Sequence, residues 1–141
     1  METLHLNYEV AGGDLSRAGE ASSSVKQTLR KLGYDSDTVR RVSVCMYEGE
    51  INMVIHADGG TASVDVGLDR ITIVLRDHGP GIPDVEQAMQ AGFTTAADSV
   101  RDLGFGAGMG LPNMKKYSDS MTIESVLGVG TTVTMVINIP E

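Results

Sequence analysis

The stretch that decides the fold is RITIVLRDHGPGI, residues 70–82, where a strand pattern runs straight into glycine. Ile71, Ile73 and Leu75 alternate with Thr72, Val74 and Arg76, and period-two alternation marks a half-buried strand. Asp77 keeps the parity of the inward row, whereas His78 has the opposite parity and reads as exposed. The pattern therefore delivers one carboxylate to the inward side of a strand end. Gly79-Pro80-Gly81-Ile82 then interrupts the chain where backbone can come close to a ligand.

Upstream, residues 61–67 form the partner strand, with Ala62, Val64 and Val66 inward and a tight turn at 67–69. Before it, a helix is expected from residues 35–37 to about Ala57, where Asp58-Gly59-Gly60 ends it. Val44, Met46, Ile51, Met53, Val54 and Ile55 make this helix apolar around more than half its circumference, so it should be largely buried. Charges in such a helix need a reason. Glu48 and Asn52 are four apart and share a face, while Glu50 lies about 160° round at about 100° per residue. Glu48 can thus work beside Asn52, and Glu50 is expected to tolerate substitution. Cys45 reads as a core thiol.

Further upstream, residues 4–10 alternate as a strand, and a helix from an Asp14 cap to a Gly33 stop carries Leu15, Ala18, Val25 and Leu29 at helical spacing. Downstream, a short helix is expected at 84–90, an aperiodic stretch at 91–108 has the length of a lid or binding loop, and a helix covers 110–117. Strands at 121–126 and 131–139 flank the turn Gly128-Val129-Gly130, and Thr131 shares the inward face with Val133, Met135 and Ile137. Paired strands with gathered helices, without repeat or linker, predict a single α+β domain over 1–141. Its architecture is a two-layer sandwich, with helices on one face of a mixed, largely antiparallel sheet.

Composition narrows the function. With 11 Lys+Arg against 19 Asp+Glu the net charge is -8, which disfavours a nucleic-acid groove or an anionic membrane surface. No apolar run is long enough to span a membrane, the start carries no secretory signal, and the expected location is the cytoplasm. A single cysteine excludes an internal disulfide. Glycine is in excess at 17 residues, and nine of them fall between Gly79 and Gly130. Neither the Walker loop nor the dinucleotide-binding fingerprint occurs. Instead, three clusters follow the Glu48-x-x-x-Asn52 helix: Asp77-x-Gly79-x-Gly81-Ile82, then Gly104-x-Gly106-x-Gly108-x-Gly110-Leu111, then Gly128-x-Gly130-Thr131.

In that combination, over residues 39–136, the chain resembles the GHKL superfamily of ATP-binding domains with the Bergerat-type fold. Its 77–84 run, Gly92-Phe93-Thr94-Thr95 and Gly110-Leu111-Pro112-x-x-Lys115 look most like the small stand-alone anti-sigma-factor serine kinases and switch kinases. The resemblance implies ATP and Mg²⁺, with an ATP lid near 84–108. It implies Glu48 as general base, Asn52 as the Mg²⁺ ligand and Asp77 as acceptor from the adenine amino group. Gly79, Gly81 and Ile82 would line the purine, with a side chain at either glycine colliding with it. Gly106, Gly108, Gly110 and Leu111 would offer backbone N–H groups and a helix N-terminus to the triphosphate, and Thr131 would supply an adenine-side hydroxyl. Gly106 stands where many relatives carry an Arg that reaches the γ-phosphate; Arg101 is a candidate replacement or a solvated loop residue, and Lys115 and Lys116 are candidates for phosphate contact or solvated surface. The implied activity is serine/threonine kinase action on a small antagonist protein of anti-anti-sigma type, with a sigma factor or phosphatase as a further partner and a homodimer as the assembly. The alternative is a non-catalytic switch that binds ATP or ADP and changes its grip on a partner.

Overall fold

The computed structural model describes residues 4–13, 15–57, 59–82 and 110–140, together with 85 and 89. Five strands form one sheet in the order β1-β2-β3-β5-β4, where β1 is Leu4–Ala11, β2 Gly59–Val66, β3 Arg70–Asp77, β4 Ser120–Val126 and β5 Gly130–Asn138. The helices are α1, Glu20–Lys31, α2, Ser36–His56, and α3, Gly110–Tyr117. Each of the four ladders is antiparallel, so the antiparallel part of the expected sheet holds and no parallel pairing accompanies it among the described residues. The reason is the β4–β5 hairpin. β4 takes the edge, and β5 folds back into the gap between it and β3.

One sheet face carries the core. Ala62, Val64, Ile71, Ile73, Leu75, Met135 and Ile137 point from the strands at Val25 and Leu29 of α1 and at Val39, Val42, Cys45, Met46 and Met53 of α2. Burying such side chains stabilises the fold by about 1.5–3 kcal/mol each. Val44 and Ile55, expected on the buried side of α2, are only half-buried because α2 is covered by the sheet on one flank and by α1 and α3 on others.

The helix ends follow local chemistry. Asp35 caps α2 by accepting from the backbone N–H and the hydroxyl of Thr38. These bonds, the hydroxyl's first, hold the Asp35 carboxyl below the usual carboxylate range. Gly33 follows α1 with φ of 85°, and Tyr34 N–H returns to the Leu29 carbonyl, which closes that helix as expected. The start of α1 differs from expectation. Residues Leu15–Arg17 form a separate 3₁₀ turn and α1 begins only at Glu20, after Gly19 in the left-handed region; Asp14 lies outside the described residues. Gly19 has no side chain to cap with. Glu50 of α2 supplies the cap instead, its carboxylate accepting from the N–H groups of Ala21 (3.2 Å) and Ser22 (3.1 Å).

Among the described residues, no helix is long and apolar enough to cross a membrane. Of the short helix expected at 84–90, the structure shows the bond from Met89 N–H to the Val85 carbonyl. The rest of that helix and the lid expected near 84–108, with Arg101, Gly106 and Gly108, lie outside the described residues.

Candidate active site

The site is built along one contact, that of α2 on β3. A Cβ at Gly49 would collide with the Leu75 side chain, so only glycine lets α2 lie this close to the sheet. One turn on, Met53 Sδ would be 3.0 Å from a Cβ at Gly60, the register partner of Asp77. Beyond the helix end, Ala57 Cβ would be 2.7 Å from a Cβ at Gly79. α2 therefore tracks β3 towards its glycine-rich end. Glu48 and Asn52, both half-buried, share one face of this helix.

The first residue of α3 closes the other side. A Cβ at Gly110 would lie 3.2 Å from both Oδ1 and Nδ2 of Asn52 and 3.4 Å from Glu48 Oε2. Glu48, Asn52 and Gly110 thus meet at one point, with the positive end of a helix dipole directed there. Leu111 packs against the core, Met114 is fully buried, and the Cys45 thiol donates to the Met114 carbonyl over 3.6 Å, which ties α2 to α3. Burial pushes the Cys45 thiol up to about 12, consistent with a core role. Lys115 and Lys116 are exposed in the last turn of α3, where cations complement the negative dipole end.

The third wall is held by Asp77. Its Oδ1 accepts from the N–H of Gly79 (2.9 Å) and of Thr131 (3.1 Å). Thr131 faces inward and is 7% exposed, as its parity required. Its hydroxyl hydrogen-bonds Ser125 Oγ at 2.9 Å, and Ser125 Oγ accepts from the N–H of Ile82 at 2.7 Å. The Asp77 loop is therefore pinned at both ends by the β4–β5 hairpin.

Two expectations change in their physical reason. Gly79 and Gly81 are packed against protein: Ala57 occupies the space beside Gly79, and the carbonyl of Val126, 2.8 Å from a Cβ at Gly81, occupies the space beside Gly81. Gly81 also has φ of 83°, which favours glycine on backbone grounds alone. These glycines let the loop dock on the protein, a reason for glycine at both positions that the sequence alone did not show. Glu50 was expected to tolerate substitution, yet it is 2% exposed and caps α1, because the face opposite Glu48 is turned to the α1 N-terminus and away from solvent. Sequence reasoning missed both this cap and Ser125. Ser125 was findable, since a turn at 127–129 sets Ser125 directly across from Thr131. For Glu50, the signal was the uncapped glycine at position 19.

Any divalent cation here would draw on few protein groups. Among the described residues no three His, Cys, Asp or Glu side chains converge to hold a metal. The Asn52 amide oxygen fits the Mg²⁺ habit of taking one or two protein oxygens and completing its octahedron with phosphate and water.

The chain is similar to known proteins throughout its length. The histidine kinase-like ATPase domain family matches residues 13–137. The serine/threonine-protein kinase RsbT of Bacillus subtilis is 30% identical over 110 residues, covering 75% of this chain and 77% of that protein. The anti-sigma F factor of Geobacillus stearothermophilus is 30% identical over 136 residues, covering 92% of this chain and 88% of that protein. Among solved structures, the RsbU and RsbW domains of Rv1364c from Mycobacterium tuberculosis superpose with a TM-score of 0.60 at 16% identity, over 99% of this chain and 33% of that longer one. The mycobacterial sensor histidine kinase MprB superposes with a TM-score of 0.55 at 16% identity, over 96% and 98%. The match over residues 13–137, together with relatives 30% identical over most of their length, makes the chain a member of the histidine kinase-like ATPase domain family.

Proposed function

We propose that this protein is an ATP-dependent serine/threonine protein kinase that phosphorylates a small antagonist protein. One observation carries the reading: the Glu48 carboxylate and the Asn52 amide both meet the first residue of α3, so a base, a metal ligand and a helix N-terminus share one point. ATP with Mg²⁺, when bound, supplies the phosphoryl group and neutralises much of its charge. Asn52 would hold the cation, the Asp77 Oδ2 would accept from the adenine amino group, and Thr131 with Ser125 would keep the Asp77 loop in place. Gly79, Gly81 and Ile82 would form the purine side, and Gly106, Gly108, Gly110 and Leu111 would serve the phosphate side. Residues 84–108 would close over the nucleotide as a lid.

Glu48 Oε2 would take the proton of the partner's Ser or Thr hydroxyl as the hydroxyl oxygen accepts the phosphoryl group and ADP leaves. General-base assistance of this kind contributes about 10²–10⁴-fold. The kinase should be slow, since Gly106 replaces the arginine that relatives use near the γ-phosphate and Arg101 is the remaining candidate there. A relative named as an anti-sigma F factor supports a sigma factor as a further partner. A cytoplasmic location and a homodimeric assembly are part of the same proposal and rest on the family resemblance alone.

Transfer of labelled γ-phosphate to the cognate antagonist tests the reading. Glu48→Gln should leave ATP affinity within about threefold while removing at least about 99% of transfer. Unchanged transfer in Glu48→Gln would remove the general base from the mechanism. A nucleotide-dependent change in partner affinity without label on the partner would establish the non-catalytic switch instead.

A further inference from the structure

A groove of about 780 Å³ runs between α1 and α2 on the side away from the sheet. Its charge is opposite to that of the protein. Lys26, Arg30 and Arg40 line it, three of the eleven Lys+Arg in a chain of net charge -8, and Glu48 is its single carboxylate among the described residues. Arg40 is 3.6 Å from Asp37 and lies over the Tyr117 ring. Lys26 and Arg30 have no ion-pair partner among the described residues, although Lys26 is half-buried. Lys26, half-buried, and Arg30, exposed, thus stand without a carboxylate partner on the wall of a groove in an acidic protein, and such cations attract an anionic occupant. Tyr34 and Tyr47 add apolar walls, which favour a peptide over a bare polyanion.

The groove leads to the base. Glu48 lines it and also faces Gly110 on the pocket side, so one carboxylate borders both spaces. Gly19 marks the Glu48 end, since a Cβ there would be 3.3 Å from the Tyr47 ring. From that end Lys26 is seven residues along α1 and Arg30 eleven, or about 10 and 16 Å at 1.5 Å per residue. Arg40 is eight residues from Glu48, about 12 Å. An extended chain advances about 3.3 Å per residue. A hydroxyl at Glu48 therefore places residues about three to five positions away beside the cations.

We infer that the α1–α2 groove is the docking channel for the protein substrate, and that its occupant is a Ser- or Thr-bearing segment with acidic residues about three to five positions from the acceptor. This inference rests on the kinase reading of Glu48 but locates recognition at residues outside the nucleotide pocket. The charges select the segment, the tyrosines pack its apolar residues, and Glu48 receives its hydroxyl.

The test uses the full chain and a fluorescein-labelled peptide of fifteen residues, with one central Ser, apolar neighbours and Glu three to five positions to either side. Anisotropy should show binding that weakens about tenfold in Lys26→Glu and in Arg30→Glu, and by less than about twofold in Arg70→Glu on the β2–β3 turn. Replacing the Glu residues of the peptide by Gln should abolish the difference between wild type and the two groove variants. Calorimetry with Mg-ATP should give the same affinity in all four proteins, and thermal melting should show all four folded. Absence of peptide binding, equal binding of the Gln peptide, or indifference to both groove reversals would overturn the inference. So would equally tight binding of a single-stranded oligonucleotide that the same reversals abolish, because the groove would then read charge alone. Loss of ATP binding in every protein, with the peptide behaving as expected, would instead reject the nucleotide reading and leave the groove assignment standing.

Discussion

Replacing Glu50 by Gln tests the architecture more severely than replacing any residue of the pocket. The Glu50 carboxylate is 2% exposed and accepts from Ala21 N–H at 3.2 Å and from Ser22 N–H at 3.1 Å. Gln offers one acceptor oxygen, so one bond survives and an amide NH₂ is turned towards a backbone N–H. Hydrogen bonds to a charged group are worth about 1.5–3 kcal/mol, and loss of a helix N-cap costs about 0.5–2 kcal/mol. No other cap substitutes, because Gly19 has no side chain and makes no cap bond. We therefore expect Glu50→Gln to lose about 2–3 kcal/mol, which for a domain of this size lowers the Tm by about 6–12 °C. Glu50→Ala should lose more, since both donors are orphaned and a cavity opens. Glu48→Gln should stay within about 0.5 kcal/mol of wild type, because the half-buried Glu48 carboxylate holds no described structural bond. Circular dichroism melts of the three variants at neutral pH decide the matter. A Glu50→Gln protein melting within about 1 °C of wild type would refute the cap.

Asp77→Asn should weaken adenine-nucleotide binding about ten- to a hundredfold in calorimetry while leaving Tm near wild type, since the Asn carbonyl can keep the Gly79 and Thr131 bonds; undiminished binding would break the adenine assignment. Gly49→Ala should cost about 1–3 kcal/mol in denaturant melts, because its Cβ collides with Leu75 in a packed core, and a neutral result would mean that α2 can lift off β3 without penalty. The Asp35 cap predicts a pH dependence. Its folded pKa lies below the usual carboxylate range, so its stabilisation is present above the unfolded pKa and is lost as pH falls through the folded one. Tm measured from pH 5 down to pH 2 should therefore fall more steeply in wild type than in Asp35→Asn, and parallel curves would contradict the cap.

Sequence by itself determined what depends on neighbours along the chain. The span of α2 followed from apolar spacing between a start at residues 35–37 and the stop at Asp58-Gly59-Gly60, and the hairpin of β2 and β3 from alternation about a tight turn. The inward aim of Asp77 and Thr131 followed from parity, since successive side chains of a strand must point to opposite faces. The common face of Glu48 and Asn52 followed from helical spacing, and the structure sets both against Gly110. Contacts between residues distant in sequence had no such local signal. Insertion of β5 between β3 and β4 depends on which edge can bury its inward row, a property of the assembled sheet. Gly79 and Gly81 looked like clearance for a ligand, and only tertiary packing brought Ala57 and Val126 into the space beside them. Glu50 looked idle because its two donors lie 28 and 29 residues earlier on α1. Periodicity states which way a side chain points. What it meets is decided when α1 docks on α2, where a buried carboxylate persists only if donors from elsewhere in the chain satisfy it.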